Sequence, residues 1–178
     1  GTKVVLQKLK DAEEKGLNVA GIWAQDWEGK RVTPFGKRLM WDFRWNEDEY
    51  PNLDNEIKKL RERNIRFLGY INPYLAIEGK QYKEASEKGY LVLNKNNEEY
   101  LVDMGSFNAG IIDLTNGEAY NWYKNEIKKN MIQFGLGGWM ADFGEYLPAD
   151  AVMKNGSGEQ VHNLYPVLWA KLNREASE

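Results

Sequence analysis

The residues best suited to chemistry follow three short apolar runs of the sequence. Gln25 and Asp26 follow the first run, Asn72 follows the second, and Asp142 follows the run Gly138–Ala141. A carboxylate that ends a strand of apolar and small residues points out of the sheet, where it could act as a nucleophile. An aspartate at such a place could equally cap a helix or close a turn. The spacing alone leaves both interpretations of Asp142 open.

Two residues beside Asp142 are further candidates for contact with a substrate. Trp139 could form a hydrophobic platform against a sugar ring, or it could belong to the core. Glu145 could orient the site as a hydrogen-bond acceptor, or it could be an acidic residue in the first turn of a helix.

The connection Trp23–Trp45 is unusually rich in aromatic and cationic residues, among them Arg38 and Trp41. Long connections in compact domains are usually functional. Within this connection, Arg31 and Lys37 are interpreted as solvated loop charges. Cations beside aromatic rings also occur in sites for single-stranded nucleic acid. The net charge of −3 and the lack of a basic stripe argue against that use and favour a small molecule as the partner.

The composition limits the classes of function. The 178 residues, 42% of them hydrophobic, suffice for one core, and seven tryptophans and ten tyrosines suit either packing or sugar binding. The absence of cysteine excludes disulfides and cysteine catalysis, and a single histidine excludes a histidine-rich metal site. No stretch resembles a membrane span or a signal peptide, so we expect a soluble, cytoplasmic protein with no membrane or nucleic-acid partner.

Helices and strands are predicted to alternate along the chain. A recurring order of amphipathic helix, glycine and apolar strand carries this prediction. In Thr115–Glu118 we also predict a capping box. The predicted elements are helix 4–15 closed by Gly16, strand Leu17–Ala24, a helix capped by Asn52 to Asn64, strand Ile65–Ile71, helix Lys80–Lys88 closed by Gly89, a β-hairpin in Tyr90–Gly110, strand Ile111–Leu114, a helix to Phe134 capped by Gly135, strand Gly138–Phe143 and helix Val161–Arg174.

This alternation predicts an α/β fold with parallel strands, either an open doubly wound sheet or a (β/α)8 barrel. The glycine run Gly135–Gly138 precedes a strand, the reverse of the order in nucleotide-binding sheets. Polar residues crowd the carboxyl ends of the strands, as in barrel enzymes. We therefore predict a partial (β/α)8 TIM-type barrel of about three to four parallel β/α units plus a β-hairpin insertion. Because a complete barrel takes about 250 residues, residues 1–178 are interpreted as the N-terminal portion of an incomplete catalytic domain.

Four segments resemble one known enzyme family. The segment Gly137–Glu145, with sequence GGWMADFGE, resembles the nucleophile signature of glycoside hydrolase family 31. Gly21–Trp27, Phe35–Trp41 and Tyr70–Tyr74 are similar to the bacterial members of that family that act on sulfoquinovose, a glucose carrying a 6-sulfonate. The resemblance covers nearly the whole chain and is most specific around Trp23–Trp41 and Gly137–Pro148.

The resemblance implies a retaining α-glycoside hydrolase in which Asp142 is the nucleophile. It also implies that Arg38 binds the sulfonate through its guanidinium, Trp41 through its indole N–H, and Gln25 through water. Arginine suits this anion because its guanidinium presents a rigid fork of donors. No metal or organic cofactor is needed for such chemistry. The acid/base aspartate of the family and a further sulfonate-binding tyrosine are expected beyond Glu178.

Two alternatives remain open at this point. One is a family 31 hydrolase similar to α-glucosidases but with a different sugar specificity. The other is a catalytically inactive carbohydrate-binding or structural piece of a barrel. The 178 residues alone are expected to be inactive, because the general acid is missing, and to self-associate through uncovered strand edges.

Overall fold

The structure is a computed structural model that describes residues 1–178. Helices and strands alternate as predicted, with several short antiparallel strands between them. The elements in chain order are α1 (Thr2–Glu14), β1 (Gly21–Trp23), β2 (Lys30–Thr33), β3 (Gly36–Leu39), α2 (Leu53–Glu62), β4 (Arg66–Ile71), β5 (Tyr74–Ala76), α3 (Lys80–Glu87), β6 (Leu101–Asp103), β7 (Asn108–Ile111), α4 (Gly117–Ile127), a π-helix (Lys128–Ile132), β8 (Gly138–Ala141), β9 (Val152–Met153), β10 (Gly156–Ser157), α5 (Gly158–Val161) and α6 (Tyr165–Ser177).

The central sheet contains three parallel strands in the order β1-β4-β8. Trp23 pairs with Leu68 and Ile71 pairs with Ala141, so the carboxyl ends of all three strands lie at one edge. A parallel pair needs a crossover connection, and helices α2 and α4 lie in the two crossovers. This arrangement confirms the predicted partial barrel.

Three smaller antiparallel sheets extend the connections between the parallel strands. β2 and β3 form a hairpin inside the first crossover, and β5, β7 and β6 form a three-stranded sheet inside the second. β9 and β10 form a third pair after β8. A β-hairpin lies in the predicted region, but its paired strands are Leu101–Asp103 and Asn108–Ile111, so its turn lies at residues 104–107 and not at Asn94–Asn97, where the sequence predicts it.

Two strand predictions need correction. Leu17–Ala24 was expected to be buried on both faces, but only Gly21–Trp23 forms a strand, and Trp23 is 46% exposed because β1 lies at the edge of the sheet. The predicted strand Ile111–Leu114 is not a barrel strand. The chain pairs there through Asn108–Ile111, antiparallel to Tyr74–Ala76.

The predicted helix ends are partly right. Gly16, Gly89 and Gly135 all have positive φ beyond their helices, as a glycine cap requires. Asn52 precedes α2 but has φ 57° and makes no side-chain capping bond. The capping box at Thr115 is also wrong. Asn116 is the capping residue because its side chain accepts from the backbone N–H of Glu118, while the Thr115 hydroxyl donates to Asp113.

The core lies between the parallel sheet and the helices that cover it. Helices α2, α4 and α6 bury apolar residues at helical spacing, for example Ile57 and Leu60 on α2. The rings of Trp122, Tyr123 and Trp169 stack at centroid distances of 5.8 Å and join α4 to α6. No helix of the structure is long and apolar enough to cross a bilayer.

Candidate active site

The parallel pairing brings the candidate polar residues to one edge of the sheet. Asn72 directly follows β4 and Asp142 directly follows β8, and the backbone N–H of Asp142 donates to the Ile71 carbonyl at 2.9 Å. Gln25 lies two residues beyond β1, where Ala24 N–H still donates to the carbonyl of Leu68. The carboxyl edge of such strands is the catalytic face in barrel enzymes.

A cavity of about 750 Å³ opens at this edge. Four predicted site residues, Gln25, Arg38, Trp41 and Asp142, line it together. Its volume lies within the range of small-molecule sites. The other lining residues are Gly1, Val4, Asp26, Lys30, Lys37, Leu39, Tyr70, Phe107 and Phe143.

The carboxylate of Asp142 is held from a neighbouring strand. The phenol of Tyr70, which is 1% exposed, donates to Asp142 Oδ2 at 2.7 Å. The Asp142 carbonyl accepts from the indole N–H of Trp169 at 3.0 Å. After Asp142 the chain turns sharply, because Phe143 has φ 59° and Gly144 has φ 112°. The nucleophile candidate is therefore fixed at both its side chain and its backbone.

The hairpin β2–β3 carries Arg38 to the cavity. Arg38 is exposed, lies opposite Arg31 in the hairpin, and is not paired with a carboxylate. Arg31 was expected to be a solvated loop charge, which is wrong. Its guanidinium donates to the Met40 carbonyl at 2.6 Å and packs 4.1 Å from the Phe107 ring centroid. One arginine fixes the hairpin while the other is free for a ligand.

Trp41 is held in an unusual backbone conformation beside Arg38. It has φ 52°, which a bulky residue rarely adopts, and it is 7% exposed. Its ring packs against Tyr74, Phe107 and Phe143 at centroid distances of 5.8, 5.1 and 5.7 Å. This aromatic cage fixes the indole at the cavity wall.

The indole N–H of Trp41 is free, unlike that of every other tryptophan. Six of the seven tryptophans donate their indole N–H to a protein acceptor. The Trp41 nitrogen makes no such bond and is not among the buried atoms that lack a partner. A donor in this position is available to a ligand in the cavity.

A buried acid, Glu28, lies behind Trp41 and was not predicted from the sequence. Glu28 is 3% exposed, and its Oε2 accepts from the backbone N–H of Asp42 at 3.0 Å, while Oε1 has no partner. Burial raises the pKa of Glu28 well above its usual value, although the backbone amides of Trp41 and Asp42 lower it. Glu28 therefore binds the backbone of the strained segment that presents Trp41.

A second carboxylate, Asp26, lies in the cavity wall within an ionic network. Lys30 pairs with Asp26 at 2.9 Å and with Glu49, and the Tyr50 phenol donates to Asp26. Burial alone would raise the pKa of Asp26, but hydrogen bonds from Tyr50 and Lys30 hold it below its usual value. Asp26 therefore stays ionised and bound to Lys30 and Tyr50, so it cannot serve as a proton donor.

Trp139 and Glu145 do not line the cavity. The indole N–H of Trp139 donates to Asn173 on α6 at 2.8 Å, so its ring lies on the helix-covered side of the sheet. Glu145 is exposed on the loop after Asp142. The expected sugar platform is absent at Trp139 because alternate residues of a strand face opposite sides of the sheet.

The sequence placed Asp26 at the end of the first apolar run, but it gave no indication that Tyr70 and Glu28 belong to this site. Tyr70 lies in an apolar run and resembles any core residue. The available signal was its place on β4, one residue before the strand ends at Ile71. No group of three or more side chains that could hold a metal ion occurs in the structure.

The layers of the fold and the position of the cavity define a class of protein, a TIM-barrel domain with a small-molecule site at its carboxyl face. Residues 2–178 match the family described as "Glycosyl hydrolases family 31 TIM-barrel domain". The chain therefore belongs to glycoside hydrolase family 31.

The chain is also similar to individual members of this family. The chain is 52% identical to the sulfoquinovosidase of Escherichia coli (strain K12) over all of its length, and 45% identical to that of Agrobacterium fabrum over 97%. A solved sulfoquinovosidase from E. rectale, in complex with an aza-sugar inhibitor, matches with a TM-score of 0.93 and 49% identity over 97% of the chain. The chain spans 26% of the length of each of these three proteins.

Proposed function

We propose that this chain forms part of the catalytic domain of a retaining α-glycosidase that releases sulfoquinovose from its glycosides. One observation carries the proposal: Arg38, which has no carboxylate partner, and Trp41, whose indole N–H has no protein acceptor, line the same cavity as Asp142. A neutral sugar would not need the cation, whereas a sulfonate is an anion at all working pH values.

The anion-binding part of the proposal rests on Arg38 and Trp41. The guanidinium presents paired donors that match two sulfonate oxygens, and the indole N–H supplies a third donor. Lys37 lies next to Arg38 in the cavity wall and adds positive charge. Gln25, an exposed residue of the cavity lining, contributes through its amide, directly or through a bound water.

The catalytic part rests on Asp142. In a retaining mechanism one carboxylate attacks the anomeric carbon and a second, protonated carboxyl group about 5–5.5 Å away protonates the leaving oxygen. Asp26 is held ionised by Lys30 and Tyr50, and we therefore assign the acid to a residue outside these 178 positions.

We further propose that residues 1–178 are the N-terminal portion of a longer (β/α)8 catalytic domain. Three parallel strands are present, whereas a closed barrel has eight, and the relatives are about four times as long. The proposal includes a sugar as the only partner, with no part for nucleic acid or a membrane. A reducing compartment such as the cytoplasm is consistent with a chain that contains no cysteine.

The test compares two substrates with the full-length polypeptide that contains this chain. We expect turnover of 4-nitrophenyl α-sulfoquinovoside and little or none of 4-nitrophenyl α-glucoside. Asp142→Asn should abolish turnover and retain binding of the sulfonated sugar, because the amide keeps the shape but lacks the nucleophilic charge. Preference for the glucoside would instead support a family 31 hydrolase of a different sugar, and no turnover of any glycoside would support an inactive barrel.

A further inference from the structure

The two oxygens of the Asp142 carboxylate have different surroundings. Oδ2 accepts from the Tyr70 phenol at 2.7 Å. Oδ1 has no hydrogen-bond partner in the protein, yet it is not among the buried atoms that lack one, so it is open to the cavity. The carboxylate thus presents one bound and one free oxygen.

The donor that makes this difference is itself rigidly placed. Tyr70 is 1% exposed on β4, opposite Met140 of β8, and its ring packs against Phe43 at 6.4 Å. The amide of Asn72 donates to the Tyr70 oxygen at 3.3 Å, and this leaves the phenol proton for Asp142. Asn72 is itself fixed, because its own side-chain oxygen accepts from the backbone N–H of Tyr74.

We propose that Tyr70 is a positioning residue that holds Oδ2 of Asp142 and so makes Oδ1 the attacking atom. The inference rests on the proposed function, since it assumes that Asp142 is a glycosidase nucleophile. It goes further by naming the attacking oxygen and the side chain that selects it.

The two chemical steps use this hydrogen bond unequally. In the first step a bond forms between Oδ1 and the anomeric carbon while the bond from that carbon to the leaving oxygen breaks. Its electron pair goes to the leaving oxygen, and 4-nitrophenolate departs as an anion without needing a proton. In the second step water attacks the anomeric carbon, gives up a proton to a carboxylate base, and the bond to Oδ1 breaks with its electron pair returning to Asp142.

Negative charge leaves Asp142 in the first step and returns in the second. A phenol donates more strongly to a carboxylate than to an ester carbonyl, so Tyr70 stabilises the transition state of the second step more than the covalent intermediate. Loss of the phenol should therefore slow the second step by about 10- to 100-fold. The covalent intermediate should then accumulate.

The experiment uses the full-length polypeptide and 4-nitrophenyl α-sulfoquinovoside. For Tyr70→Phe we expect kcat and KM to fall together, with an initial burst of 4-nitrophenolate equal to the enzyme concentration. Tyr100→Phe is the matched control, because Tyr100 also donates to a carboxylate, that of Asp150, at 2.8 Å but outside the cavity. Its kinetics should equal those of the wild type.

A second variant guards against a folding defect in the first. Replacing Tyr70 by 3-fluorotyrosine keeps the ring and the O–H donor, and we expect kcat within about threefold of wild type and no burst. A Tyr70→Phe variant with unchanged kinetics, or with a lower kcat, a raised KM and no burst, would overturn the inference while the wild-type enzyme still turns over. Loss of kcat in the fluorotyrosine variant would overturn it as well. A wild-type enzyme that hydrolyses no glycoside would overturn the proposed function itself and, with it, this inference.

Discussion

At the level of single residues, we propose that the cation of Arg38 distinguishes a sulfonated sugar from a neutral one. For Arg38→Ala in the full-length polypeptide we expect kcat/KM on the sulfoquinovoside to fall by about 30-fold or more, since an anion loses its charged partner. Arg38→Lys should recover only part of this, because an ammonium cannot reproduce the planar fork. Parallel steady-state assays on the two 4-nitrophenyl glycosides measure the effect.

A matched arginine elsewhere controls for general loss of charge. Arg174 lies on α6 and pairs only with Glu178, both of them largely exposed. Arg174→Ala should leave both activities unchanged. Equal losses on the two glycosides in Arg38→Ala would mean that Arg38 supports the loop rather than the sulfonate.

Glu28 predicts a pH dependence of stability. Its pKa is raised in the folded state, so its contribution to stability is complete below its unfolded pKa of about 4.3 and is lost as the pH rises toward the folded value. Glu28→Gln mimics the protonated acid and removes this loss. The difference in the free energy of unfolding, variant minus wild type, should therefore increase as the pH rises from 5 to 8. The increase should be at most about 1.4 kcal/mol per pH unit.

Urea unfolding of the two proteins at several pH values measures this difference. Glu87→Gln is the control, because Glu87 is exposed at the end of α3 and should give a constant difference across the range. A difference for Glu28→Gln that does not change between pH 5 and 8 would contradict a raised pKa of Glu28.

Four of the six site residues predicted from the sequence and its family resemblance line one cavity, and their chemical roles stay predictions. Gln25 and Asp142 lie beyond the carboxyl ends of two parallel strands, whereas Arg38 and Trp41 reach the same cavity on hairpin β2–β3 and the residues after it. Glu28 could not be identified from the sequence, because only its burial in the fold distinguishes it from the other glutamates.

At the scale of elements, the hairpin β2–β3 differs most from its prediction as a long connection. Lys30–Thr33 and Gly36–Leu39 are exposed on most sides and lack the alternation of apolar and polar residues that indicates a half-buried strand. The hairpin is stabilised instead from one side by Arg31, which the sequence presented as one charge among several.

Arg31→Ala tests whether this arginine fixes the hairpin. The variant loses the bond to the Met40 carbonyl and the contact with Phe107, together roughly 1–2 kcal/mol. We expect KM for the sulfoquinovoside to rise about 5- to 30-fold with kcat nearly unchanged. Glu78→Gln, which removes only the exposed half of the Arg31 ion pair, should change KM by less than about threefold. A similar KM effect in the two variants would show that the ion pair, rather than the buried contacts, holds the hairpin.

At the scale of the whole molecule, the three-stranded parallel sheet has two open edges. Strands β1 and β8 are each paired on one side only, and Trp23 and Met140 are 46% and 45% exposed on them. Unpaired strand edges with exposed apolar side chains favour pairing with another chain. We therefore expect the 178-residue chain to self-associate, with light scattering as the measurement.

The variant Met140→Lys should reduce this association, because a charge on an edge strand opposes edge-to-edge pairing. Val167→Lys places the same charge on an exposed residue of α6 and serves as the control. A monodisperse monomer that unfolds cooperatively would count against the open-edged barrel.

Asp142 as the nucleophile of a site for a sulfonated sugar is the proposal on which the other proposals depend. Its most direct test is to trap the covalent intermediate on the full-length polypeptide with a 2-fluoro sulfoquinovosyl fluoride and to map the adduct by peptide mass spectrometry. We predict one sugar per polypeptide, attached to the peptide that contains Asp142 and absent in Asp142→Asn. An adduct on a different carboxylate, or labelling only by the corresponding unsulfonated 2-fluoro glucosyl fluoride, would contradict the claim.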